Sequence, residues 1–392
     1  MRIKIHNGHL LTPHCIIRNG SLLITDGIIT EVSEGNLDVA DALELDAGGQ
    51  YISPGFIDLH VHGGGGFDFM DGTEEAFLRI AEIHAQHGTT SMVPTTLTSE
   101  KSDLLKTLDM YEQANKNNKK GATFLGMHLE GPYFALSQCG AQDPKYIRDP
   151  DPVEYEEILA YSSSITRWSA APELKGAISF GRRLRQKGIL AAVAHTDAIY
   201  EEVLEAYKNG YSLATHLYSA MSGVTRKNAF RYAGTIEAAY LLDMDVEIIA
   251  DGIHLPAPLL KLVYKIKGAD KTALITDAMR AAGMPEGDSV LGPLNTGLKV
   301  IVENGVAKLP DRSSFAGSVA TFDRLVRNMV QMAEVSLLDA VKMASATPAR
   351  IMGIDNQKGS LTKGKDADIL IFDKDITIQI TIINGNIVFR RT

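Results

Sequence analysis

The sequence predicts an α/β fold, a (β/α)8 TIM barrel with a small β-sandwich domain formed from the N- and C-terminal segments. Two observations predict this fold. Short apolar runs alternate with amphipathic helical patterns through the middle of the chain, whereas both ends are rich in β-forming residues broken by turn dipeptides. The predicted boundaries place 1–53 and 347–392 in the small β domain and 54–346 in the barrel.

The two ends of the chain share one kind of sequence pattern. The first fifty residues and the last thirty carry short β-rich runs, and Gly-containing dipeptides typical of two-residue hairpin turns separate them. These dipeptides are Asn7-Gly8, Asn19-Gly20, Asp26-Gly27 and Asn384-Gly385. Because the two ends resemble each other and differ from the middle, we expect them to pair in one small domain.

The middle of the chain alternates between strand-like and helical segments. The strand-like runs are Tyr51–Val61, Thr90–Thr95, Thr123–His128, Thr166–Ala170, Leu190–Ala194, Leu213–His216, Val246–Ala250 and Thr272–Ile275. The helical patterns are Glu74–Gln86, Asp103–Asn115, Gly176–Gln186, Ile199–Lys208 and Ala257–Lys265. Short, largely apolar runs are typical of parallel strands covered on both faces. Eight of them fit a (β/α)8 barrel, whose usual size is about 250 residues. A doubly wound open sheet is the alternative, but no G-x-G-x-x-G follows the first run.

Composition limits the possible functions. The net charge of the 392 residues is −9 and no Lys/Arg stripe is present, which argues against nucleic-acid binding. An acidic total still allows a locally positive pocket for an anionic substrate. The two cysteines form no disulfide framework, and neither a secretory segment nor a run of about 20 apolar residues is present. We therefore predict a cytoplasmic protein that does not bind membranes.

Metal-binding residue types follow the apolar runs. The first run ends in Asp58-Leu59-His60-Val61-His62, and later runs are followed by Glu130, His195, His216 and Asp277. The carboxyl ends of barrel strands converge on one face, so these side chains are expected to meet. His60 and His62 point to the same side of their strand because residues i and i+2 do so.

A lone histidine after a strand is usually a satisfied structural residue. Four histidines and two carboxylates at equivalent strand ends would, however, leave many buried polar groups without partners unless a metal ion bound them. Imidazole and carboxylate ligands suit zinc, iron or cobalt rather than calcium. His128 stays open between a position beside Glu130 and a role in supporting a ligand.

Six motifs occur in the order typical of one family. HLEGPY, AHTD, THLYSAM, ADGIH, LITDA and FAGS resemble the N-acetylglucosamine-6-phosphate deacetylases of the amidohydrolase superfamily. Many superfamily members bridge two metals with a carboxylated lysine at strand four, where this chain reads Ala170-Ala171-Pro172-Glu173. The resemblance implies that Glu130 occupies the bridging position instead.

The resemblance also implies roles for the ligands. Glu130, His195 and His216 would form the main metal site, and His60 and His62 would form a second site with Glu130 and Asp277. One or two divalent ions per subunit are implied, with zinc favoured and iron the alternative. Asp277 would be the general base that takes a proton from the activated water.

The implied substrate is a phosphorylated amino sugar. Ser219 stands where relatives commonly have Asn, and Gln142 stands where many have a histidine that polarises the acetyl carbonyl. Arg226 matches a phosphate-binding arginine that acts across a subunit interface, which implies a homodimer or homotetramer; Lys227 and Arg231 are rival candidates. The remaining substrate-binding residues implied are Ala220, His254, Phe315, Ala316 and Gly317.

The expected reaction is hydrolysis of N-acetyl-D-glucosamine 6-phosphate to D-glucosamine 6-phosphate and acetate. The alternatives are a deacetylase of N-acetylgalactosamine 6-phosphate or another N-acyl amidohydrolase, and a non-catalytic scaffold on the same fold. Scaffold proteins of this kind typically lose the metal ligands, whereas this chain keeps them. A serine hydrolase is disfavoured because no G-x-S-x-G motif is present.

Overall fold

The computed structural model describes residues 1–392. The strands of the first half are β1 (Arg2–Leu11), β2 (Ile16–Thr25), β3 (Ile28–Glu34), β4 (Leu43–Asp46), β5 (Tyr51–Pro54), β6 (Phe56–Val61), β7 (Gly63–Gly64), β8 (Phe67–Asp68), β9 (Thr89–Pro94), β10 (Thr123–Phe124), β11 (Met127–Glu130), β12 (Ile165–Ala170) and β13 (Leu190–Val193). Those of the second half are β14 (Tyr211–Ala214), β15 (Thr225–Lys227), β16 (Phe230–Tyr232), β17 (Asp245–Ile248), β18 (Thr272–Leu274), β19 (Gly287–Leu291), β20 (Leu298–Glu303), β21 (Val306–Lys308), β22 (Ile369–Phe372), β23 (Ile378–Ile383) and β24 (Asn386–Arg390).

The helices lie mostly between the strands of the middle region. They are α1 (Glu74–Gln86), α2 (Lys101–Asn117), α3 (Pro152–Tyr161), α4 (Ala177–Gln186), α5 (Tyr200–Lys208), α6 (Thr235–Leu241), α7 (Ala257–Lys271), α8 (Phe322–Gln331), α9 (Leu337–Ala344) and α10 (Ala346–Ile351). Short 3-10 turns occupy Phe69–Asp71, Leu136–Gln138 and Pro144–Tyr146. None of the helices has the length and apolarity needed to cross a membrane.

The two ends of the chain pair in one eight-stranded sheet. Its order is β24-β23-β22-β5-β1-β2-β3, and β4 pairs with β1 in parallel. The sheet is continuous rather than divided in two, and an isolated bridge between Ile28 and Asp366 joins its first and last segments. One cluster of 15 buried apolar residues lies against it. The predicted pairing of the terminal segments is therefore observed. They form one sheet, and its apolar side chains make up most of the buried cluster.

Two of the four predicted hairpin turns lie inside strands. Asp26-Gly27 and Asn384-Gly385 are turns, but Asn7 and Asn19 belong to β1 and β2, which pair with a register shift near Gly8 and Gly20. A Cβ atom at Gly8 would lie 2.4 Å from the Ile52 side chain. The prediction of turns at 7–8 and 19–20 is therefore wrong, because an irregular strand pair needs the same residue types as a turn.

The middle region contains nine parallel strands in two hydrogen-bonded groups, one of three strands and one of six. One group has the order β10-β9-β6, and the other has the order β11-β12-β13-β14-β17-β18. Isolated parallel bridges, Thr95 to His128 and Val61 to Ala278, link the edges of the two groups. Asp58 adds a side-chain link, since its carboxylate accepts hydrogen bonds from the Thr276 amide at 3.1 Å and hydroxyl at 2.5 Å. The carboxyl ends of β6, β11, β13, β14 and β18 consequently lie together.

The predicted run Tyr51–Val61 divides at Gly55. Its first part is β5 of the terminal sheet and its second part is β6 of the parallel sheet. A Cβ at Gly55 would lie 2.1 Å from the Thr90 hydroxyl oxygen, so the backbone passes too closely for any side chain. The glycine thus allows the chain to leave one sheet and enter the other.

A three-stranded antiparallel sheet, β19-β20-β21, follows β18 and was not predicted. Asn304 and Gly305 form the turn between its second and third strands, and both have positive φ, 54° and 73°. This Asn-Gly dipeptide was the sequence signal for the insertion. The sheet matters for function because its last strand leads into the candidate site.

Candidate active site

The side chains of the site extend from the carboxyl ends of the parallel strands. His60 lies in β6 and Glu130 ends β11, while His195, His216 and Asp277 lie just beyond β13, β14 and β18. His195, His216 and Asp277 have φ of 47°, 33° and 48°. Residues other than glycine rarely adopt this left-handed conformation, which concentrates at functional sites. The sharp turns direct these three side chains toward the centre of the strand ends.

Glu130 is the shared member of two groups of ligand atoms. Its Oε1 lies 3.0 Å from His216 Nε2, 3.3 Å from His195 Nε2 and 3.5 Å from His60 Nε2. Its Oε2 lies 3.3 Å from His62 Nε2. The residues divide into a group of Glu130, His195 and His216 and a group of His60, His62 and Glu130, each able to hold a metal ion.

Asp277 lies beside the second group. Its Oδ1 lies 3.2 Å from His62 Nε2 and 3.4 Å from His60 Nε2. The Nε2 atoms of His60 and His62 lie only 3.1 Å apart. Two such nitrogens repel each other unless one carries a proton or a cation lies near both.

The spacing of these atoms fits a divalent metal. Ligands that each lie about 2.0–2.1 Å from a tetrahedral ion are separated by roughly 3.3 Å from one another, and the separations here are 3.0–3.5 Å. His195 Nδ1 bonds the Gln138 carbonyl at 2.8 Å, which fixes the ring with Nε2 toward Glu130. The cluster can therefore hold divalent metal.

The electrostatics of the cluster favour positive charge. Burial acts to raise the pKa of Glu130, but His60, His195 and His216 outweigh it and hold this pKa well below its usual value. Burial acts to lower the pKa of His62, yet hydrogen bonds to Asp277 and Glu130 raise it to about 10. The carboxylates thus remain ionised, and the cluster favours a cation between them.

His128 supports the site without belonging to either group. Its Nε2 bonds the Ser169 hydroxyl at 2.7 Å, and its Nδ1 bonds the Thr95 hydroxyl at 3.3 Å. Burial, with the nearby Arg167, lowers the pKa of His128 well below its usual value, so the ring is neutral. Its edge packs on His60 with centroids 4.8 Å apart. These contacts favour a role for His128 in supporting a ligand over a position beside Glu130.

A fully buried ion pair beside the ligands was not predicted. Arg167 donates hydrogen bonds of 2.5 and 2.7 Å to both oxygens of Glu247, and another of 2.8 Å to the Leu59 carbonyl. The pair ties β12 and β17 to the strand that carries His60. A charged residue inside the apolar run Thr166–Ala170 was the signal that could have found it.

A cavity of about 510 Å³ opens above the cluster. Most predicted site residues line it: His62, Glu130, Gln142, His195, His216, Ser219, Ala220, His254, Asp277, Phe315 and Gly317. His60 is fully buried and contributes to the cluster from below the surface of the cavity. At Gly317 the φ is +69° and a Cβ would lie 3.0 Å from the Asp277 carbonyl, so this position needs glycine.

Gln142 contacts a metal ligand. Its Nε2 donates to Glu130 Oε2 at 2.7 Å, and its Oε1 accepts from the Thr98 amide at 2.8 Å and the Thr98 hydroxyl at 2.9 Å. Thr98 therefore fixes which end of the amide faces Glu130. The structure shows a side chain that orients Glu130 at the edge of the cavity, and the contact of Gln142 with the acetyl carbonyl stays a prediction.

His254 is held at the wall of the cavity. Its Nδ1 bonds Asp251 Oδ2 at 2.7 Å, and Asp251 also accepts from the amide of Ile253. Burial acts to raise the pKa of Asp251, but the hydrogen bond from His254 outweighs burial and lowers this pKa. The ring contacts Phe315 with centroids 4.6 Å apart. The bond to Asp251 thereby fixes the orientation of the His254 ring at the cavity.

Two predicted substrate-binding residues do not line the cavity of their own chain. Arg226 lies on the exposed hairpin formed by β15 and β16. Ala316 is buried in an apolar cluster with Met279 and Leu291. Lys308 and Arg312, in contrast, line the cavity and were not predicted, because nothing in the local sequence distinguishes them from surface charges.

Comparison with known proteins agrees with this geometry. The Amidohydrolase family profile matches residues 51–388. The N-acetylglucosamine-6-phosphate deacetylase of Lysinibacillus sphaericus is 35% identical over 92% of this chain and 91% of its own length. The N-acetylgalactosamine-6-phosphate deacetylase of Escherichia coli is 34% identical over 96% of this chain and 97% of its own length.

A solved structure is similar over nearly the whole chain. It is the N-acetyl-D-glucosamine-6-phosphate deacetylase of Mycobacterium smegmatis, an aspartate-to-alanine mutant in complex with N-acetyl-D-glucosamine-6-phosphate, with 30% identity, a TM-score of 0.90 and 99% of each chain covered. The chain belongs to the amidohydrolase family. It is a hydrolytic enzyme, and its particular relatives are the deacetylases of phosphorylated amino sugars.

Proposed function

We propose that this chain hydrolyses N-acetyl-D-glucosamine 6-phosphate to D-glucosamine 6-phosphate and acetate. The observation that carries the proposal is Glu130, whose two oxygens are shared between two ligand groups at the base of a cavity of about 510 Å³. A cavity of this size suits a small sugar phosphate. The relatives that match the chain along its length support the same substrate class.

Asp277 is the proposed general base. A divalent ion held by Glu130, His195 and His216 would supply a water whose pKa is lowered to about 7 and a positive charge that polarises the amide carbonyl. Burial acts to raise the pKa of Asp277, but His60 and His62 outweigh it and lower this pKa, so the carboxylate is ionised and ready to accept a proton. Asp277 then returns the proton to the sugar nitrogen as the C–N bond breaks. His254 and Ser219 orient the sugar from the cavity wall.

Zinc is the proposed ion, with iron as the alternative, and each subunit holds one or two ions. The imidazole-rich ligand set supports zinc or iron over calcium. The second group, which contains His60 and His62, supports two ions.

Replacement of both His60 and His62 by Gln tests the number of ions. We expect the variant to hold roughly one divalent ion fewer per chain than the parent, because the group of Glu130, His195 and His216 stays intact. Elemental analysis of dialysed, zinc-loaded protein measures this. Unchanged metal content would contradict the assignment of a second ion to the His60–His62 pair.

The proposed assembly is a homodimer or homotetramer. The exposed position of Arg226 on the β15–β16 hairpin supports a role in the site of a partner subunit, with Lys227 and Arg231 as rivals on the same hairpin. The proposed domains are 1–53 with 347–392 and 54–346, and the bridges at the sheet edges support one closed (β/α)8 barrel in the second. A cytoplasmic location remains our expectation from the sequence.

Acetate release from four sugars tests the proposed function. N-acetylglucosamine and N-acetylgalactosamine are each offered to zinc-loaded protein with and without the 6-phosphate. We expect the highest kcat/KM for N-acetylglucosamine 6-phosphate. A preference for the galactosamine isomer would favour the alternative that the relative from Escherichia coli supports. Release from none of the four would overturn the amino-sugar assignment.

A further inference from the structure

The segment after β12 carries a carboxylate that belongs to neither ligand group. β12 lies between β11 and β13 in the parallel sheet. Glu130 ends β11 and His195 lies just beyond β13, whereas β12 contributes no residue to either group. Glu173, which follows β12, is half-buried, and its two oxygens face the segment that follows His195. Its contacts are therefore with the backbone that carries a ligand rather than with the ligand atoms.

Glu173 holds the turn that follows His195. Its Oε2 accepts a hydrogen bond from the Thr196 hydroxyl at 2.5 Å, and its Oε1 accepts one from the Asp197 amide at 2.7 Å. His195, the residue directly before them, has a φ of 47°. A residue other than glycine keeps this left-handed conformation only where the surrounding structure holds it there. The two hydrogen bonds to Glu173 fix the neighbouring residues on one side of this turn.

The same turn also fixes the imidazole ring of His195. The Asp197 carboxylate accepts a hydrogen bond of 2.6 Å from the side-chain amide of Gln138. The main-chain carbonyl of Gln138 accepts the hydrogen bond from His195 Nδ1 at 2.8 Å. Asp197 therefore links the residue that orients the ring to the backbone that Glu173 holds. Both the main chain and the ring of His195 depend on the position of Glu173.

We propose that Glu173 is a positioning residue, which holds His195 in the orientation that the metal group of Glu130, His195 and His216 requires. The inference rests on the proposed function, because it assumes that a metal ion binds this group. Partners that orient a metal ligand contribute about 10- to 100-fold to metal affinity. A contact that only ties β12 to the β13 segment would instead change the stability of the fold and leave metal affinity unchanged.

Two substitutions remove the contact from its two sides. Glu173→Gln leaves one accepting oxygen for two donors, and Thr196→Val removes the donating hydroxyl. We expect each to weaken zinc binding about 10-fold, the lower end of the range for a partner of a ligand, because Glu173 acts on His195 through its neighbours. Chelator competition measures the affinity. Both substitutions are made in the His60→Gln/His62→Gln protein, where the group that contains His195 is the one left intact.

Two further variants of that protein serve as controls. Thr196→Ser keeps the hydroxyl and is expected to keep the zinc affinity of the protein in which it is made. Glu201→Gln makes the same chemical change as Glu173→Gln at an exposed position of α5 and is expected to leave the affinity unchanged. Equal weakening by Thr196→Ser and Thr196→Val would show that the hydroxyl is not the group responsible, and would contradict the inference.

The visible absorption of bound cobalt(II) gives a second readout, because it depends on the geometry of the ligands. We expect the bands to change in Glu173→Gln and Thr196→Val and to stay the same in Thr196→Ser and Glu201→Gln. Unchanged affinity and unchanged bands in the first two variants would overturn the inference, even if their thermal unfolding midpoints fell. Should Glu173→Gln fail to fold, Thr196→Val decides by the same two measurements. A parent protein that binds zinc but releases no acetate would count against the proposed function alone.

Discussion

Replacement of Asp277 by Asn is expected to lower kcat for acetate release by about 10²- to 10⁴-fold, the usual contribution of a general acid–base. The carboxylate that we propose accepts the proton from water lies 3.2 Å from His62 Nε2 and has a lowered pKa, and an amide of the same shape cannot accept that proton. Steady-state kinetics on N-acetylglucosamine 6-phosphate measure the loss. Substrate KM should change much less than kcat.

The matched control for this variant is Asp288→Asn, which makes the same change at an exposed position of β19. Its kcat should equal that of the parent. Metal content measured on both variants shows whether the ion bound by Glu130, His195 and His216 remains. Near-parental turnover by Asp277→Asn would show that another group removes the proton.

Replacement of Glu130 by Gln is expected to weaken metal binding at both ligand groups. Glu130 Oε1 faces His195, His216 and His60, and Oε2 faces His62, so one substitution affects both groups. Loss of a residue that merely orients a ligand costs about 10- to 100-fold in metal affinity, and loss of the shared carboxylate should cost more. Chelator competition measures the affinity, and acetate release should fall to background at limiting zinc.

Two further variants provide reference values for this loss of metal affinity. Gln142→Leu removes the 2.7 Å hydrogen bond to Glu130 and is expected to cost about 10- to 100-fold in metal affinity. Glu201→Gln, at an exposed position of α5, should cost nothing. If Glu130→Gln retained parental metal affinity, the shared position of this carboxylate would have no energetic role.

The ligand set could be predicted from sequence because parallel strands impose a simple geometry. His60, His195, His216 and Asp277 are far apart along the chain, yet each lies at the carboxyl end of an apolar run, and such ends meet at one edge. The left-handed backbone of His195, His216 and Asp277 could not be predicted from the sequence, since none of them is a glycine. Strand ends therefore predicted which residues meet but not the sharp turns that direct them.

Contacts made by loops could not be predicted in the same way. Gln142 reaches Glu130 through a segment without a repeating pattern, and Arg312 reaches the cavity from a turn beyond an antiparallel insertion. Loop positions depend on long-range packing rather than on local periodicity. Arg226 lies on an exposed hairpin away from the cavity of its own chain, and its predicted role across a subunit interface stays a prediction.

We propose that the cluster around Glu130 hydrolyses the amide by means of a bound divalent ion. The most direct test removes metal from the purified protein with a chelator, adds zinc back in measured steps, and follows both bound zinc and acetate release from N-acetylglucosamine 6-phosphate. We predict that the metal-free protein is inactive and that activity rises in proportion to zinc bound. Full acetate release by protein shown to be metal-free would contradict the account.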